Sequence, residues 1–260
     1  MILPADRLQH VLELLKERRS VSCSELCEYF QVSAGTVRKD LRMLEDLGHA
    51  KRTYGGAVLS IAAPDAPAVV AEREVQNAAV KDRIARRAAE MVRPGETVFI
   101  DGSTTSLFVA RHLRQCPNLT VITNAERVVM ELCECEQIRT ICTGGALRRS
   151  NLSYVGENAE RLIRDTFYAD RMFFSCFGIS RQFGVFDAVE SESNVKKAMF
   201  GSAQEIVLLC DSSKFGKLGF PKLADLSQLD CLVSDFCPDE EWESVLKQHR
   251  VELVRVPEEA

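Results

Sequence analysis

The stretch from Ser20 to Ala57 constrains this chain more than any other part of its sequence. Ser22 is followed three residues later by Glu25, which is the spacing of a capping box and predicts a helix start. Ser33 is the next N-cap candidate, and one face of the helix after it carries Val37, Leu41 and Leu44. Gly48 is expected to end this second helix, and a short two-stranded basic hairpin follows. The order helix, tight turn, helix and hairpin predicts a winged helix-turn-helix.

The face opposite that apolar stripe is small, hydroxylic and basic, which suits the major groove of DNA. A solvated charged helix is the alternative for this face alone. The capping box, the short turn and a Gly-Gly turn in the hairpin, arriving in that order, favour DNA binding. We therefore predict these DNA-contacting residues: Ser33, Gly35, Thr36, Arg38, Lys39, Arg42, Lys51, Arg52 and Tyr54.

The same stretch resembles the DNA-binding domain of the DeoR family of bacterial repressors. The resemblance rests on Val32, Ser33, Thr36, Val37, Arg38, Lys39, Asp40, Leu41, Leu44, Lys51, Arg52, Gly55, Gly56 and Ala57. Two positions differ from the commonest family pattern, because Lys39 replaces a second arginine and Tyr54 replaces a histidine. Lysine cannot form the bidentate contact that arginine forms, so we interpret Lys39 as a phosphate contact.

Charge is unevenly distributed along the 260 residues, whose net charge is −5. Residues 1–60 hold 9 Lys and Arg against 8 Asp and Glu, which leaves 24 against 30 for the remainder. DNA affinity must therefore come from one face of a small domain, while the acidic remainder disfavours DNA. No apolar run approaches the length of a membrane span, and the N-terminus has no signal-peptide core, so we expect a cytoplasmic protein.

The ten cysteines are scattered singly, with no C-x-x-C pair among them. In a chain without an export signal we interpret them as reduced thiols. Because the sequence has only four histidines, we predict no metal site.

Residues 60–71 contain two prolines and several alanines without periodicity, which predicts a linker. The linker would separate a DNA-binding domain at 1–59 from a second domain at 72–260. In the first domain, a helix capped by Asp6 is expected ahead of the helix pair. The second domain is expected to open with a single helix from Glu72 to Met91.

Short apolar segments then alternate with helical ones, which favours a mainly parallel sheet covered on both faces, an α/β fold. The predicted strands are 98–100, 119–122, 138–142, 172–177, 206–209, 231–234 and 251–254. Ligands bind at the carboxyl ends of such strands. Polar clusters follow several of these ends, at 101–105, 123–124, 143–145 and 211–214.

The loop Asp101-Gly102-Ser103-Thr104-Thr105 offers hydroxyls and a helix N-terminus, which together suit a phosphate. A polar N-cap on an ordinary strand–helix turn is the alternative. The loop lacks both the Walker lysine spacing and the three-glycine dinucleotide fingerprint, so we expect neither ATP nor NAD and predict no cofactor.

The second domain resembles the sensor domain of the same family, which is similar in fold to ribose-5-phosphate isomerase and binds phosphorylated sugars or related metabolites. The resemblance rests on 98–105, 123–124, 144–145, Glu192 with Lys196, and 211–216. It implies these effector-binding residues: Asp101, Gly102, Ser103, Thr104, Thr105, Asn124, Gly144, Gly145, Glu192, Lys196, Asp211 and Lys214.

The segment after the fourth predicted strand differs from the pattern of ribose-5-phosphate isomerase. Phe177 and Ser180 stand where the isomerase has acidic residues after its fourth strand. Isomerisation through an enediol needs a base and groups that polarise oxygen. We therefore expect Glu192 to lack acidic partners and catalysis to be lost. Phe177 either stacks on a sugar or fills core, and we favour core.

Together these features predict a transcriptional repressor of a sugar or related carbon operon, relieved by a phosphorylated sugar. Its expected partners are double-stranded operator DNA and further copies of itself, contacting through the sensor domain and the Glu72–Met91 helix. An isomerase-type enzyme fused to a DNA-binding domain and a transcriptional activator remain as alternatives.

Overall fold

The computed structural model describes residues 4–46, 49–59, 68–219 and 221–257. The chain divides into two compact units, Met1–Ala66 and Pro67–Ala260. Residues 60–67 of the predicted linker lie outside the described residues, as does Gly48. Residues 68–71 were also assigned to the linker, but they form the first turns of a helix.

The first unit is a winged helix-turn-helix. Its elements are α1 (Pro4–Arg18), β1 (Ser20–Ser22), α2 (Cys23–Phe30), α3 (Ala34–Asp46), β2 (Ala50–Thr53) and β3 (Gly56–Leu59). The antiparallel sheet has the order β1-β3-β2, so the wing gains a third strand that the hairpin prediction lacked. Gly56 makes this pairing possible, because a Cβ at Gly56 would overlap the carbonyl oxygen of Val21 in β1.

Local capping explains where these helices begin. The Ser22 hydroxyl accepts from the Glu25 backbone N–H at 3.1 Å, and the Glu25 side chain returns to the Ser22 N–H, so the predicted capping box is confirmed. The Ser33 hydroxyl accepts from the Thr36 N–H at 3.2 Å, as expected of the N-cap of α3. Asp6 is not a cap, because α1 already includes Pro4 and Asp6 lies in its first turn.

The core of this unit is apolar, with one buried ion pair. The apolar residues on the inner faces of α1, α2 and α3 are buried: Leu8, Val11, Leu12, Leu15, Leu26, Phe30, Val37, Leu41 and Leu44. Arg7 Nε lies 2.7 Å from Asp40 Oδ2 and Arg7 Nη2 lies 3.2 Å from Asp40 Oδ1, and both residues are buried. This bidentate pair ties α1 to the inner face of α3.

The second unit is an α/β domain, which confirms the predicted class. Its helices are α4 (Ala68–Val75), α5 (Ala78–Ala89), α6 (Thr104–Leu113), α7 (Glu126–Leu132), α8 (Glu157–Thr166), α9 (Glu190–Phe200) and α10 (Glu240–His249). Its strands are β4 (Thr97–Ile100), β5 (Leu119–Thr123), β6 (Ile138–Cys142), β7 (Ala146–Arg148), β8 (Ser153–Val155), β9 (Ala169–Phe174), β10 (Gly178–Ser180), β11 (Gly184–Phe186), β12 (Ala203–Leu209), β13 (Lys222–Ala224), β14 (Cys231–Ser234) and β15 (Glu252–Arg255).

Within the described residues, seven of these strands form a parallel sheet of order β15-β14-β12-β9-β4-β5-β6. The chain runs outward from β4 to β6, then crosses to β9 and continues outward on the other side. The switch point therefore lies between β4 and β9, and the carboxyl ends of these strands are the place where α/β folds bind ligands. Buried apolar clusters cover both faces of the sheet.

Two predicted features of this unit are wrong, and several elements were not predicted. The helix expected over Glu72–Met91 is two helices, because Asn77 adopts a left-handed conformation (φ 55°) between α4 and α5. The fourth strand ends at Phe174 rather than at residue 177. The sequence analysis also missed a β7–β8 hairpin, helix α8, and a small antiparallel sheet of order β10-β11-β13.

Candidate functional site

The predicted DNA-binding residues share one property, which is accessibility. Thr36 is half-buried, and the others are exposed: Ser33, Gly35, Arg38, Lys39, Arg42, Lys51, Arg52 and Tyr54. The hydroxyls of Ser33 and Thr36 lie 3.0 Å apart. Because the Ser33 hydroxyl already caps α3, its remaining capacity for DNA is smaller than the sequence suggests.

Arg52 connects the wing to α3. Its backbone N–H donates to Glu45 Oε1 at 2.9 Å, and its Nε donates to Glu45 Oε2 at 2.7 Å. The backbone hydrogen bond and then the guanidinium of Arg52 lower the pKa of Glu45. Arg52 therefore helps to position the wing, whereas Lys51 and Tyr54 lie exposed around the turn.

A buried lysine lies at the switch point of the second unit. Lys196 Nζ is 2.7 Å from Asp187 Oδ2, 3.0 Å from Asp101 Oδ2 and 2.8 Å from the Ser175 carbonyl oxygen. Burial alone would lower the pKa of Lys196, but the attraction of Asp187 and Asp101 outweighs it, and the pKa is raised. An ammonium has three protons, so these three oxygens occupy its full donor capacity.

The structure adds to this site a buried acid that the sequence analysis did not name, and it contacts Lys196 rather than Glu192. Asp187 follows β11 and is buried together with Asp101. Both carboxylates contact Lys196, although neither occupies the segment in which the sequence analysis looked for acids. Phe177 is half-buried rather than the core residue that we favoured, and Ser180 is half-buried as well.

Glu192 is buried at the start of α9 and accepts several hydrogen bonds through a single oxygen. Its Oε1 accepts from the Ser153 hydroxyl, from Asn151 Nδ2 at 3.3 Å and from Arg148 Nη1 at 3.3 Å. All three donors come from the β7–β8 hairpin. The sequence analysis missed them because a hairpin with three-residue strands leaves no clear alternation to read.

The loop Asp101–Thr105, named the phosphate loop below, is fixed by its own side chains. Asp101 Oδ1 accepts from the Ser103 N–H at 3.1 Å, and the Ser103 hydroxyl caps α6 by accepting from the Ser106 N–H at 3.1 Å. The Gly102 carbonyl accepts from Asn151 Nδ2 at 2.8 Å. The loop therefore contacts the same asparagine that contacts Glu192.

Two of the three remaining predicted loops, 123–124 and 143–145, differ in what they offer. The Asn124 amide donates to the Tyr154 carbonyl at 3.1 Å, while its buried Oδ1 has no partner among the described residues. An unpartnered buried oxygen can accept a ligand hydroxyl. Gly144 and Gly145 have φ values of 63° and 115°, and a Cβ at Gly145 would lie 2.7 Å from the Val155 carbonyl oxygen. The two glycines therefore serve the backbone turn into β7.

The charges of Lys214 and Asp211 both act on Lys81. Lys214 Nζ donates to the Cys176 carbonyl at 3.0 Å, and Asp211 Oδ1 accepts from the Ser213 N–H at 3.1 Å and from Asn77 Nδ2 at 3.4 Å. Burial and the nearby charge of Lys214 lower the pKa of Lys81 to about 8, although Asp211 opposes the shift. A buried lysine whose pKa is shifted by burial and by a neighbouring charge is a candidate functional residue. The sequence analysis did not include Lys81.

Among the residues that the structure describes, no group of three or more His, Cys, Asp or Glu side chains could hold a metal ion. All ten cysteines are free thiols. None of the described helices combines the length and apolarity that a membrane span requires.

An exposed basic helix with a wing, followed in the same chain by an α/β domain with polar loops at its switch point, defines a DNA-binding transcriptional regulator with a sensor domain. Residues 7–61 match the DeoR-like helix-turn-helix domain, and residues 76–236 match the DeoR C terminal sensor domain. The chain belongs to the DeoR family of transcriptional regulators.

Similar proteins include an HTH-type transcriptional regulator, YulB, of Bacillus subtilis (strain 168), 35% identical over 98% of this chain and 98% of that protein. The glycerol-3-phosphate regulon repressor of Escherichia coli (strain K12) is 32% identical over 94% of this chain and 95% of its own length. The putative aga operon transcriptional repressor of Escherichia coli O157:H7 is 31% identical over 89% of this chain and 86% of its own.

Among solved structures, ribose 5-phosphate isomerase A of Methanocaldococcus jannaschii aligns with 54% of this chain and 55% of its own, at a TM-score of 0.40 and 16% identity. The architecture described above rests on the strand order of the sheet and not on this likeness.

Proposed function

We propose that this protein represses an operon of sugar or related carbon metabolism and that a phosphorylated sugar bound in the sensor domain relieves repression. The observation that carries the proposal is that Asn151 joins the phosphate loop to Glu192 at the switch point, where Lys214 Nζ also reaches the Cys176 carbonyl oxygen at 3.0 Å. Two relatives support it, because they are named as repressors, one of the glycerol-3-phosphate regulon and one of the aga operon.

The proposed effector lies across the switch point. Its phosphate sits on the Ser103–Thr105 turn at the N-terminus of α6, with Lys214 and Lys81 supplying positive charge. Its hydroxyls face Glu192 and the unpartnered Oδ1 of Asn124. Lys196 does not contact the effector in this arrangement. It holds the carboxylates of Asp101 and Asp187 in place.

We propose that the site binds without catalysis. Phe177 and Ser180 stand where the resemblance to the isomerase places acidic residues. Glu192 Oε1 accepts hydrogen bonds from the β7–β8 hairpin, which holds this carboxylate in a fixed position to receive effector hydroxyls. The similar proteins named above are regulators, which supports this reading. We expect the protein to act in the cytoplasm, where its operator lies.

The decisive experiment measures operator binding with and without sugar phosphates. Wild-type protein is titrated with operator DNA in the presence of glycerol 3-phosphate, D-ribose 5-phosphate, D-glucose 6-phosphate or inorganic phosphate. We expect one sugar phosphate to weaken operator binding by a factor in the range of about 5 to 150. The same compounds are followed for isomerisation, and turnover would favour the enzyme alternative.

Variants of the phosphate contacts test the location of the site. Lys214→Ala should bind operator normally yet fail to respond, because the phosphate loses its charge partner. Thr104→Val removes only a neutral hydrogen bond, worth about 0.5–1.5 kcal/mol, so its response should shift modestly to higher effector concentration. A Lys214→Ala protein that responds at the wild-type concentration would show that the effector binds elsewhere.

A further inference from the structure

The described side chains of α4, residues 72–75, contact the rest of the unit through charged groups. None of these four is buried, and Val75 is 77% exposed. Glu74 pairs with Arg111 of α6 at 2.6 Å and with Arg127 of α7. The described contacts of α4 are therefore charge-based, and a new charge in the site can change them.

Arg73 links this helix to the effector site. Its Nη1 donates to Asn151 Oδ1 at 3.4 Å, which is long for a hydrogen bond. The other amide atom of Asn151 donates to the Gly102 carbonyl and to Glu192 Oε1. One asparagine side chain therefore contacts α4, the phosphate loop and the carboxylate proposed to receive effector hydroxyls.

A second set of contacts joins the same region to the opposite side of the site. Lys81 Nζ of α5 donates to the backbone carbonyl of Arg73, and Asn77, between the two helices, donates to Asp211 Oδ1 at 3.4 Å. Asp211 begins the loop that carries Lys214. The position of α4 thus depends on groups that an anion in the site would attract or displace.

We propose that Arg73 and Asn151 form the relay that couples effector binding to the docking of α4. The relay rests on the proposed function, since it requires an anionic effector in this site. A phosphate monoester carries close to two negative charges at neutral pH. It attracts the Arg73 guanidinium more strongly than the neutral Asn151 amide does, because two opposite charges attract each other more strongly than a charge and a dipole.

The exchange of partners changes how α4 is held. When the Arg73 guanidinium turns from the Asn151 amide toward the phosphate, α4 keeps the Glu74 ion pairs and gains an ionic contact with the bound effector. This helix is the first described element after residue 67, on the side of the chain that leads from the DNA-binding domain. A more firmly docked α4 therefore restricts the chain segment through which the two domains are joined.

Hydrogen–deuterium exchange of the full-length protein tests the relay. Backbone amides of residues 68–77 are followed with and without glycerol 3-phosphate, D-ribose 5-phosphate, D-glucose 6-phosphate and inorganic phosphate, each at a concentration that saturates its thermal shift. In the wild type we expect the bound anion to slow α4 exchange by roughly fivefold or more. Arg73→Met should exchange fast without any probe and gain nothing from one, while Arg73→Lys should partly restore the response.

Arg161→Met, which removes an exposed arginine from α8, is the matched control and should behave as wild type. Two results would overturn the relay and leave the proposed function standing. One is thermal stabilisation of the wild type with unchanged α4 exchange, and the other is an Arg73→Met protein that is protected and responds like wild type. If no probe stabilised the wild type, the proposed function would fail, and the relay with it.

Discussion

Arg38 and Lys39 are adjacent on α3, and both are exposed, yet they differ in what they can recognise. Arginine can form a bidentate contact with a base edge, whereas lysine supplies a point charge. Arg38→Ala should weaken specific operator binding by about 1–3 kcal/mol and relax sequence preference. Lys39→Ala should weaken binding to all DNA alike and reduce the salt slope by about one. Binding titrations at several salt concentrations distinguish the two, and an Arg38→Ala protein with normal operator affinity would contradict the assignment.

Lys81 makes the sensor site sensitive to alkaline pH. Its folded pKa of about 8 lies below the ordinary 10.5, with Lys214, Arg73, Asp211 and Glu74 as the charges that surround it. Its charge is therefore present below pH 8 and lost above it, while a phosphate monoester is a dianion above about pH 6. We expect sugar-phosphate affinity to be greatest between those values and to fall as pH rises through 8.

The lowered pKa of Lys81 also affects the stability of the folded protein, and a Lys81 variant tests both effects. Because the unfolded chain binds more protons between pH 8 and 10.5, the free energy of unfolding should rise with pH across that window. Calorimetry in buffers of different ionisation enthalpy should show proton uptake when an anion binds near pH 8. Lys81→Met should abolish the uptake, and its persistence would assign the proton to another group.

Single residues show where sequence reasoning reached its limit. Glu192 and Lys196 were predicted together because they lie one helical turn apart on α9. Asn151 and Ser153, the partners of Glu192, come from a hairpin about 40 residues away, and Asp187, the partner of Lys196, lies nine residues ahead of it in the loop before α9. A motif records spacing along the chain, so it cannot reveal a partner brought in by another loop.

Among the elements, the wing offers a paired test through its two glycines. A Cβ at Gly56 would overlap the backbone of β1, whereas a Cβ at Gly55 would meet nothing within 4 Å. Gly56→Ala should therefore lower the stability of the DNA-binding unit by about 1–3 kcal/mol or more, as overpacking does, and Gly55→Ala should not. Thermal melting and operator binding of both variants provide the measurement. Equal stability of the two variants would show that β1 can shift to accommodate the added Cβ without lowering the free energy of unfolding.

The elements that the sequence predicted are those with local signals. Helices α2 and α3 begin at capping serines, and β4 and β12 are apolar runs that end in polar loops. The short strands β7, β8, β10 and β11 escaped because three residues cannot display alternation. The break between α4 and α5 escaped because asparagine carries no obligatory conformation, and only the structure shows its left-handed φ.

For the whole molecule, assembly is the open prediction. The first 60 residues carry a net charge of only +1, so a single DNA-binding domain should bind DNA weakly. We expect a homo-oligomer that places two DNA-binding domains on paired half-sites. Sedimentation at micromolar concentration should show a dimer or larger species, and a single half-site should bind less tightly than the full operator. Monomer alone with full operator affinity would contradict this.

The fold class of the second unit was predictable because strands and helices alternate, but its strand order was not. Val98 of β4 pairs with Val121 of β5 on one side and with Arg171 of β9 on the other. Alternation along the chain does not say on which side of β4 the later strands add. The existence of polar loops at strand ends was therefore predictable, while the pairing of Asp101 with Asp187 through Lys196 was not.

The buried pair of Arg7 and Asp40 has an implication for how such a protein could acquire a new target. Asp40, Val37 and Leu41 hold α3 from inside, while Arg38 and Lys39 face outward on the same helix. Mutations on the outer face can therefore accumulate without disturbing the packing beneath it. The outward residues of α3 can therefore be exchanged together to redirect this regulator to another operator. Asp40 must be kept in such a design, because its ion pair with Arg7 holds the helix in place.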